Sequence, residues 1–141
     1  MSLKVTLIDV WATSVKDAPG ALAEKLAVVK ESGANLEFVI TRHDTSQPDR
    51  DVIFIAPASG KEHMRAAEEN GFIRTHYHFK LRVEGADRTG MAADIATALA
   101  DDGINIRGFS AASIGGQFVA HIAFESGEDT KQAMAVLKNM E

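Results

Sequence analysis

Two short motifs recur in this chain at one fixed spacing, and that repeat limits the fold more than any other feature. Asp17-Ala18-Pro19-Gly20 is matched by Asp87-Arg88-Thr89-Gly90, and Gly33-Ala34-Asn35-Leu36 by Gly103-Ile104-Asn105-Ile106. Positions 17 and 87 lie 70 residues apart, as do 35 and 105, so the two motifs align without a gap. The register holds upstream, where Leu7, Trp11 and Thr13 fall on Tyr77, Leu81 and Val83. Downstream, Val52-Ile53-Phe54-Ile55 falls on Ala120-His121-Ile122-Ala123 once the first hairpin loop is given two extra residues. A chance likeness between two amphipathic helices would not preserve the phase of the flanking strands. The chain therefore divides into two small modules, residues 1–70 and 71–141. With 45% hydrophobic residues it can fill a packed core.

Each repeat reads β-α-β-β-α. In the first, Val5, Leu7 and Trp11 alternate along a strand from about Lys4 to Ala12. A helix from about Gly20 to Glu31 follows, with Leu22, Leu26 and Val29 as its apolar stripe, Asp17 placed to cap it and Pro19 near its first turn. Gly33 stops it. Strands from Asn35 to Arg42 and from Asp51 to Ala56 lead to a second helix, Lys61 to Asn70. The second repeat carries Met91, Ile95 and Leu99 on its first helix, strands from Asn105 to Ala111 and Phe118 to Phe124 about a Gly115-Gly116 turn, and a last helix from Asp129 to Lys138.

Phe72 to Glu84 contains no turn signal, and Ile73, Tyr77, Phe79, Leu81 and Val83 share one face. That is longer than a typical strand of about five or six residues. The expectation is one long strand serving two sheets, closing the first module and opening the second. The second module has no last strand of its own after its final helix, and Leu3 to Leu7 align with Ile73 to Tyr77 and can fill the gap. The expected fold class is α+β, two ferredoxin-like βαββαβ modules with antiparallel sheets that exchange edge strands.

This plan resembles the ACT domain, a family of small ligand-binding regulatory modules. The likeness is carried by Asp17-Ala18-Pro19-Gly20-Ala21-Leu22 with Gly33-Ala34-Asn35-Leu36, and by Asp87-Arg88-Thr89-Gly90-Met91 with Gly103-Ile104-Asn105-Ile106. It implies amino-acid or other small-ligand binding where the turn before one module's first helix meets the start of another module's second strand. On that implication one pocket combines Asp17, Ala18, Gly20 and Ala21 with Asn105 and Ile106. The other combines Asp87, Arg88, Gly90 and Met91 with Asn35 and Leu36. Arg88 replaces Ala18 of the first repeat, so the two pockets should be unequal, with the Asp87 pocket the stronger. Some amino-acid-binding members carry a polar side chain two residues before the Asp, where this chain has Val15 and Gly85.

The residue types fit such a ligand independently. A carboxylate suits the N–H groups and positive dipole end of a helix N-terminus. Gly20 and Gly90 let a ligand approach the backbone. Asp17 and Asp87 can accept from an ammonium, and the guanidinium of Arg88 can grip a carboxylate. Asn35 and Asn105 can pair with either end. Each Asp is equally open to a helix-capping reading, each Asn to a post-helix turn, and Arg88 to a solvated surface position.

Other chemistries find little support. A net charge of -5 argues against nucleic acid or an anionic membrane as partner. The absence of cysteine excludes disulfides and thiolate chemistry. No apolar run approaches a membrane span and no signal-peptide core is visible, so a soluble, cytoplasmic protein is expected. His76 and His78 alternate on one strand without a third ligand, and His43 and His121 fall in separate modules, so no metal site and no cofactor are expected. Ser110, Ser113 and Ser126 lack a nucleophile elbow, and no nucleophile, base and oxyanion group converge. The expectation is a non-enzymatic regulatory protein with a small-molecule ligand, a homodimeric state and a regulated protein partner. The alternative is a ligand-free interaction module on the same fold.

Overall fold

The computed structural model describes residues 3–75 and 80–140. Its first half holds strands β1 (Lys4–Leu7) and β2 (Trp11–Lys16), helix α1 (Ala21–Ser32), strands β3 (Asn35–His43) and β4 (Arg50–Ser59), a 3-10 turn (Lys61–His63) and helix α2 (Arg65–Glu69). Strands β5 (Ile73–Arg74) and β6 (Leu81–Ala86) follow. The rest is helix α3 (Met91–Asp101), strands β7 (Ile106–Ile114) and β8 (Gln117–Phe124), and helix α4 (Gly127–Lys138).

These elements form two compact units, a first of Asp9–Thr75 and a second of Met1–Ile8 with His76–Glu141. The first unit is one four-stranded sheet in the order β3-β4-β2-β5, antiparallel throughout, with the chain path βαββαβ. The second repeats that order as β7-β8-β6-β1. Its closing strand comes from the start of the chain, with Lys4 opposite Glu84 and Leu7 opposite Leu81. In the first unit β5 holds the same place, with Arg74 opposite Trp11 and Ile73 opposite Ala12. The compact units thus follow the sheets and not the repeat boundary at residue 70.

Several local expectations are corrected. The strand expected from Lys4 to Ala12 is two strands in two sheets, because the chain leaves one ladder before it enters the other. Val5 is buried, but Leu7 is 55% exposed. The segment expected as a single strand from Phe72 to Glu84 contributes β5 and β6, while His76, Tyr77, His78 and Phe79 lie outside the described residues. The helix expected from Lys61 to Asn70 is a 3-10 turn followed by the five residues of α2. Two buried anchors, Met64 and Ala67, hold it down, and they span less than one α-helical turn.

The second unit's core is the one the sequence pattern describes. Met91, Ile95 and Leu99 of α3 are all buried against Leu81 and Val83 of β6, with Ile122 of β8 and Leu137 of α4. In the first unit Trp11, Val15, Ile53 and Ile55 pack with Val29, Met64 and Phe72. There the stripe of α1 is only partly used: Val29 is buried, Leu26 is partly buried and Leu22 is 40% exposed. α4 begins two residues earlier than expected because Ser126 caps it, accepting from the Asp129 N–H at 3.1 Å. Among the described residues no helix is long and apolar enough to cross a membrane.

Candidate ligand-binding turns

Both Asp-x-x-Gly motifs form the turn between a strand and the following helix. Gly20 and Gly90 are the N-cap residues, at φ 86° and 82°, and neither helix start has a side-chain capping bond. A Cβ at either position would meet nothing within 4 Å, so the left-handed backbone is what requires glycine there. Asp17 and Asp87 are therefore not helix caps, and Pro19 precedes the N-cap instead of opening the first turn. Both carboxylates are exposed beside helix N-termini whose N–H groups and dipole favour an anion.

The remaining expected site residues divide by position and burial. Leu36 and Ala21 pack against the first unit's core, as Ile106 does in the second, and Met91 is buried within the second unit's core. Their side chains are taken up by packing. Asn35 and Asn105 are exposed. Within each unit, however, they lie far from the Asp turn. Lys16 pairs with Arg50 at one end of β4 and Asn35 with Ser59 at the other, about 30 Å away at strand rise. In the second unit Ala86 pairs with Gln117 and Ile106 with Phe124, again at opposite ends of one strand. Neither unit by itself joins its turn to its own asparagine.

The environments of the two aspartates differ. In the second unit Ser113 Oγ donates to Asp87 Oδ1 at 3.0 Å, and the Asp87 N–H bonds the Gly116 carbonyl at 2.9 Å. Arg88 Nη1 bonds Asp94 Oδ2 at 2.5 Å, so a ligand carboxylate would have to compete for that guanidinium. In the first unit Asp17 faces an imidazole. Trp11, Thr13 and Val15 point to the helix-covered side of the sheet, and Asp17 continues that row past the strand end. Asp51 lies opposite Val15 and His43 opposite Asp51, so all three polar groups share that side. His43 Nδ1 is 3.0 Å from Asp51 Oδ1 and 3.8 Å from Asp17 Oδ2. The hydrogen bond to Asp51 holds the His43 pKa above its ordinary value; desolvation opposes it, and the charges of Asp51, Asp17 and Asp44 add to the rise. Arg50, next to Asp51, is turned the other way, donating to Ser14 Oγ and Ser14 O at 3.0 Å each.

An open cleft of about 590 Å³ adjoins the Asp87 turn in the second unit, lined by Leu3, Lys4, Glu84, Gly85, Ala86 and Gln117. A Cβ at Gly85 would come within 2.7 Å of Leu3 Cδ2, so the end of that side chain would have to shift. Arg82 bonds Glu84 and holds its carboxyl below the usual range, with burial acting against it. Gln117 Nε2 donates to the same carboxylate at 3.3 Å. The sequence reading missed Lys4, Glu84 and Gln117, since only the β1–β6–β8 pairing brings them together.

Two antiparallel four-stranded units, each with an Asp-x-x-Gly turn opening its first helix, define a pair of ferredoxin-like, ACT-like modules. A family model described as ACT domain matches residues 80–141. No curated protein matches the chain in sequence. Among solved structures, the regulatory subunit of aspartate kinase from Thermus thermophilus is similar over 99% of this chain and 97% of its own, with a TM-score of 0.68 and 15% identity. A protein from Bacteroides thetaiotaomicron gives a TM-score of 0.75 at 14% identity, over 95% of this chain and 88% of its own. The regulatory subunit of aspartate kinase from Thermus flavus gives 0.66 at 18% identity, over 97% and 95%. At these identities the likeness is one of fold.

Proposed function

We propose that this chain is a non-catalytic regulatory protein of two tandem ACT modules that binds a small molecule, an amino acid by preference, and acts on a protein partner. The observation that carries this reading is the twice-built turn, with an aspartate that does not cap its helix set beside an uncapped helix N-terminus. A zwitterion offers an ammonium to the first and a carboxylate to the second. The family match over residues 80–141 supports it, and the repeat extends the same plan to the first half. The cleft beside the Asp87 turn adds Lys4 and Glu84, one charge for each end of such a ligand. Asn35 and Asn105 are proposed as further ligand contacts. The Thermus thermophilus regulatory subunit is a precedent for this fold as a regulatory polypeptide of its own. We take the protein to be a homodimer, since β7 and β3 are edge strands carrying Ile114 and Val39, 72% and 43% exposed.

The test is calorimetric titration of the amino acids into wild type, Asp87→Ala and Asn35→Ala. At least one amino acid should bind wild type with a Kd of about 1 mM or tighter. Asp87→Ala should bind it at least about tenfold more weakly, as the loss of a charge-assisted hydrogen bond implies. That variant also loses its bond to Ser113, about 1 kcal/mol of stability, so its melting curve is taken first. Wild-type affinity in both folded variants would remove the site assignment. No binding by wild type would leave the ligand-free interaction module.

A further inference from the structure

We propose that Asp17, His43 and Asp51 bind one divalent transition-metal ion of the zinc, cobalt and nickel class. The inference goes beyond the amino-acid reading and does not depend on it. Each of the three side chains offers one ligand atom, and those atoms all lie within 4.8 Å of one another. Around a tetrahedral ion with bonds of about 2.0–2.1 Å, neighbouring ligand atoms stand roughly 3.3 Å apart. The separations from His43 Nδ1, 3.0 Å to Asp51 and 3.8 Å to Asp17, bracket that figure. Small rotations of exposed side chains complete the approach. His43 and Asp51 are fixed as direct partners in the β3–β4 ladder, and Asp17 is fixed at the end of β2 by its N–H bond to the Asp49 carbonyl at 2.8 Å. Two of the ligands thus sit on paired strands of a sheet, a stiffer base than a loop, and the third directly follows the end of β2.

Charge and ligand type both select the ion. With neutral imidazole the three groups carry two negative charges, which a divalent cation balances. The guanidinium of Arg50, the residue before Asp51, is engaged with Ser14 on the other side of the strand. One imidazole nitrogen with two carboxylate oxygens suits zinc, cobalt or nickel over magnesium and calcium, which prefer all-oxygen shells. Three protein ligands leave a position open for water or for a carboxylate from a small ligand.

The second unit serves as an internal comparison. By ladder position His43 corresponds to Ser113, and Asp51 corresponds to Phe118, which lies opposite Gly85 as Asp51 lies opposite Val15. Asp87 there keeps a hydroxyl partner and, among the described residues, no imidazole. The two turns have diverged, one toward an ion and one toward an uncharged polar setting.

The experiment titrates zinc into tag-free, chelator-stripped full-length protein, with cobalt as the spectroscopic probe. One equivalent of zinc should bind per chain, with saturation by roughly 100 µM, and cobalt should give visible ligand-field bands. His43→Gln and Asp51→Asn should each weaken zinc binding by at least about tenfold, since even outer-shell losses cost that much. His63→Ala, which removes an exposed histidine elsewhere, should leave it unchanged. Melting curves of the metal-free variants establish that each is folded, and two conservative substitutions keep the test independent of either one. The proposal is overturned if wild type binds no zinc, if zinc binding survives both ligand substitutions, or if magnesium and calcium bind as tightly as zinc.

Discussion

His121 sits on β8 directly opposite Arg82 and is only 8% exposed. Burial, and then the charge of Arg82, push its pKa down to about 4, with Glu84 acting weakly the other way. In the unfolded chain an imidazole takes up its proton near pH 6.5. Between those two values the unfolded state binds more protons than the folded one, so stability falls as the pH drops from about 6.5 toward 4. The loss approaches about 3.5 kcal/mol, on the order of 1.4 kcal/mol for each of the 2.5 pKa units, once the pH is below both values. Urea midpoints measured across this window should fall more steeply for wild type than for His121→Gln. Parallel slopes would show that His121 protonates as freely in the folded chain as in the unfolded one. His121 and His43 mark the limit of what residue order reveals. Sequence separation placed His43 without partners, whereas the register of one hairpin sets it against Asp51 and, through Val15, near Asp17. The Asp turns were legible because a repeat displays them twice. Of the two readings open to each aspartate, capping is the one the structure removes, because a left-handed glycine at the N-cap displaces the aspartate from that position.

At the level of elements, α1 and α3 occupy matching places in the repeat but carry different shares of their cores. All three apolar positions of α3 are buried, Ile95 and Leu99 with no exposure at all, while Leu22 of α1 stands in solvent. Leu99→Ala should therefore cost about 2–5 kcal/mol through lost burial and a residual cavity. Leu22→Ala should stay within about 0.5 kcal/mol. Equilibrium urea unfolding of the two variants compares them directly, and equal losses would contradict this assignment of the cores. Helical periodicity made α3 legible, since its stripe of Met91, Ile95 and Leu99 is buried in full. The second helix of the first repeat was not legible. Lys61 to Asn70 is rich in helix formers, but intrinsic propensity cannot hold a helix whose buried contacts are Met64 and Ala67 alone.

For the molecule as a whole, the repeat boundary and the structural boundary differ, and the difference has a measurable consequence. The pattern of strands left the second repeat one strand short, and the alignment of Leu3 to Leu7 with Ile73 to Tyr77 named the segment able to complete it. In the structure β1 supplies the edge of the second unit's sheet, with Val5 in that unit's core opposite Val83. Stability contributed by the first eight residues therefore belongs to residues far along the chain. Removing residues 1–8 leaves β6 with an unpaired edge and takes Val5 from its core, a loss of about 2 kcal/mol or more for that side chain by burial alone. The amides of β6 that face β1 should exchange with solvent at least about tenfold faster in the truncated chain, the factor that each 1.4 kcal/mol of opening free energy supplies. Amides of Ile53 and Ile55, in the centre of the first unit's sheet, should keep their protection, since β4 is paired on both sides by β2 and β3. If the sequence repeats were the folding units, truncation would loosen β4 and spare β6. Hydrogen exchange read residue by residue on the truncated and full-length chains distinguishes the two patterns, and loss of protection centred on β4 would overturn the strand order described here.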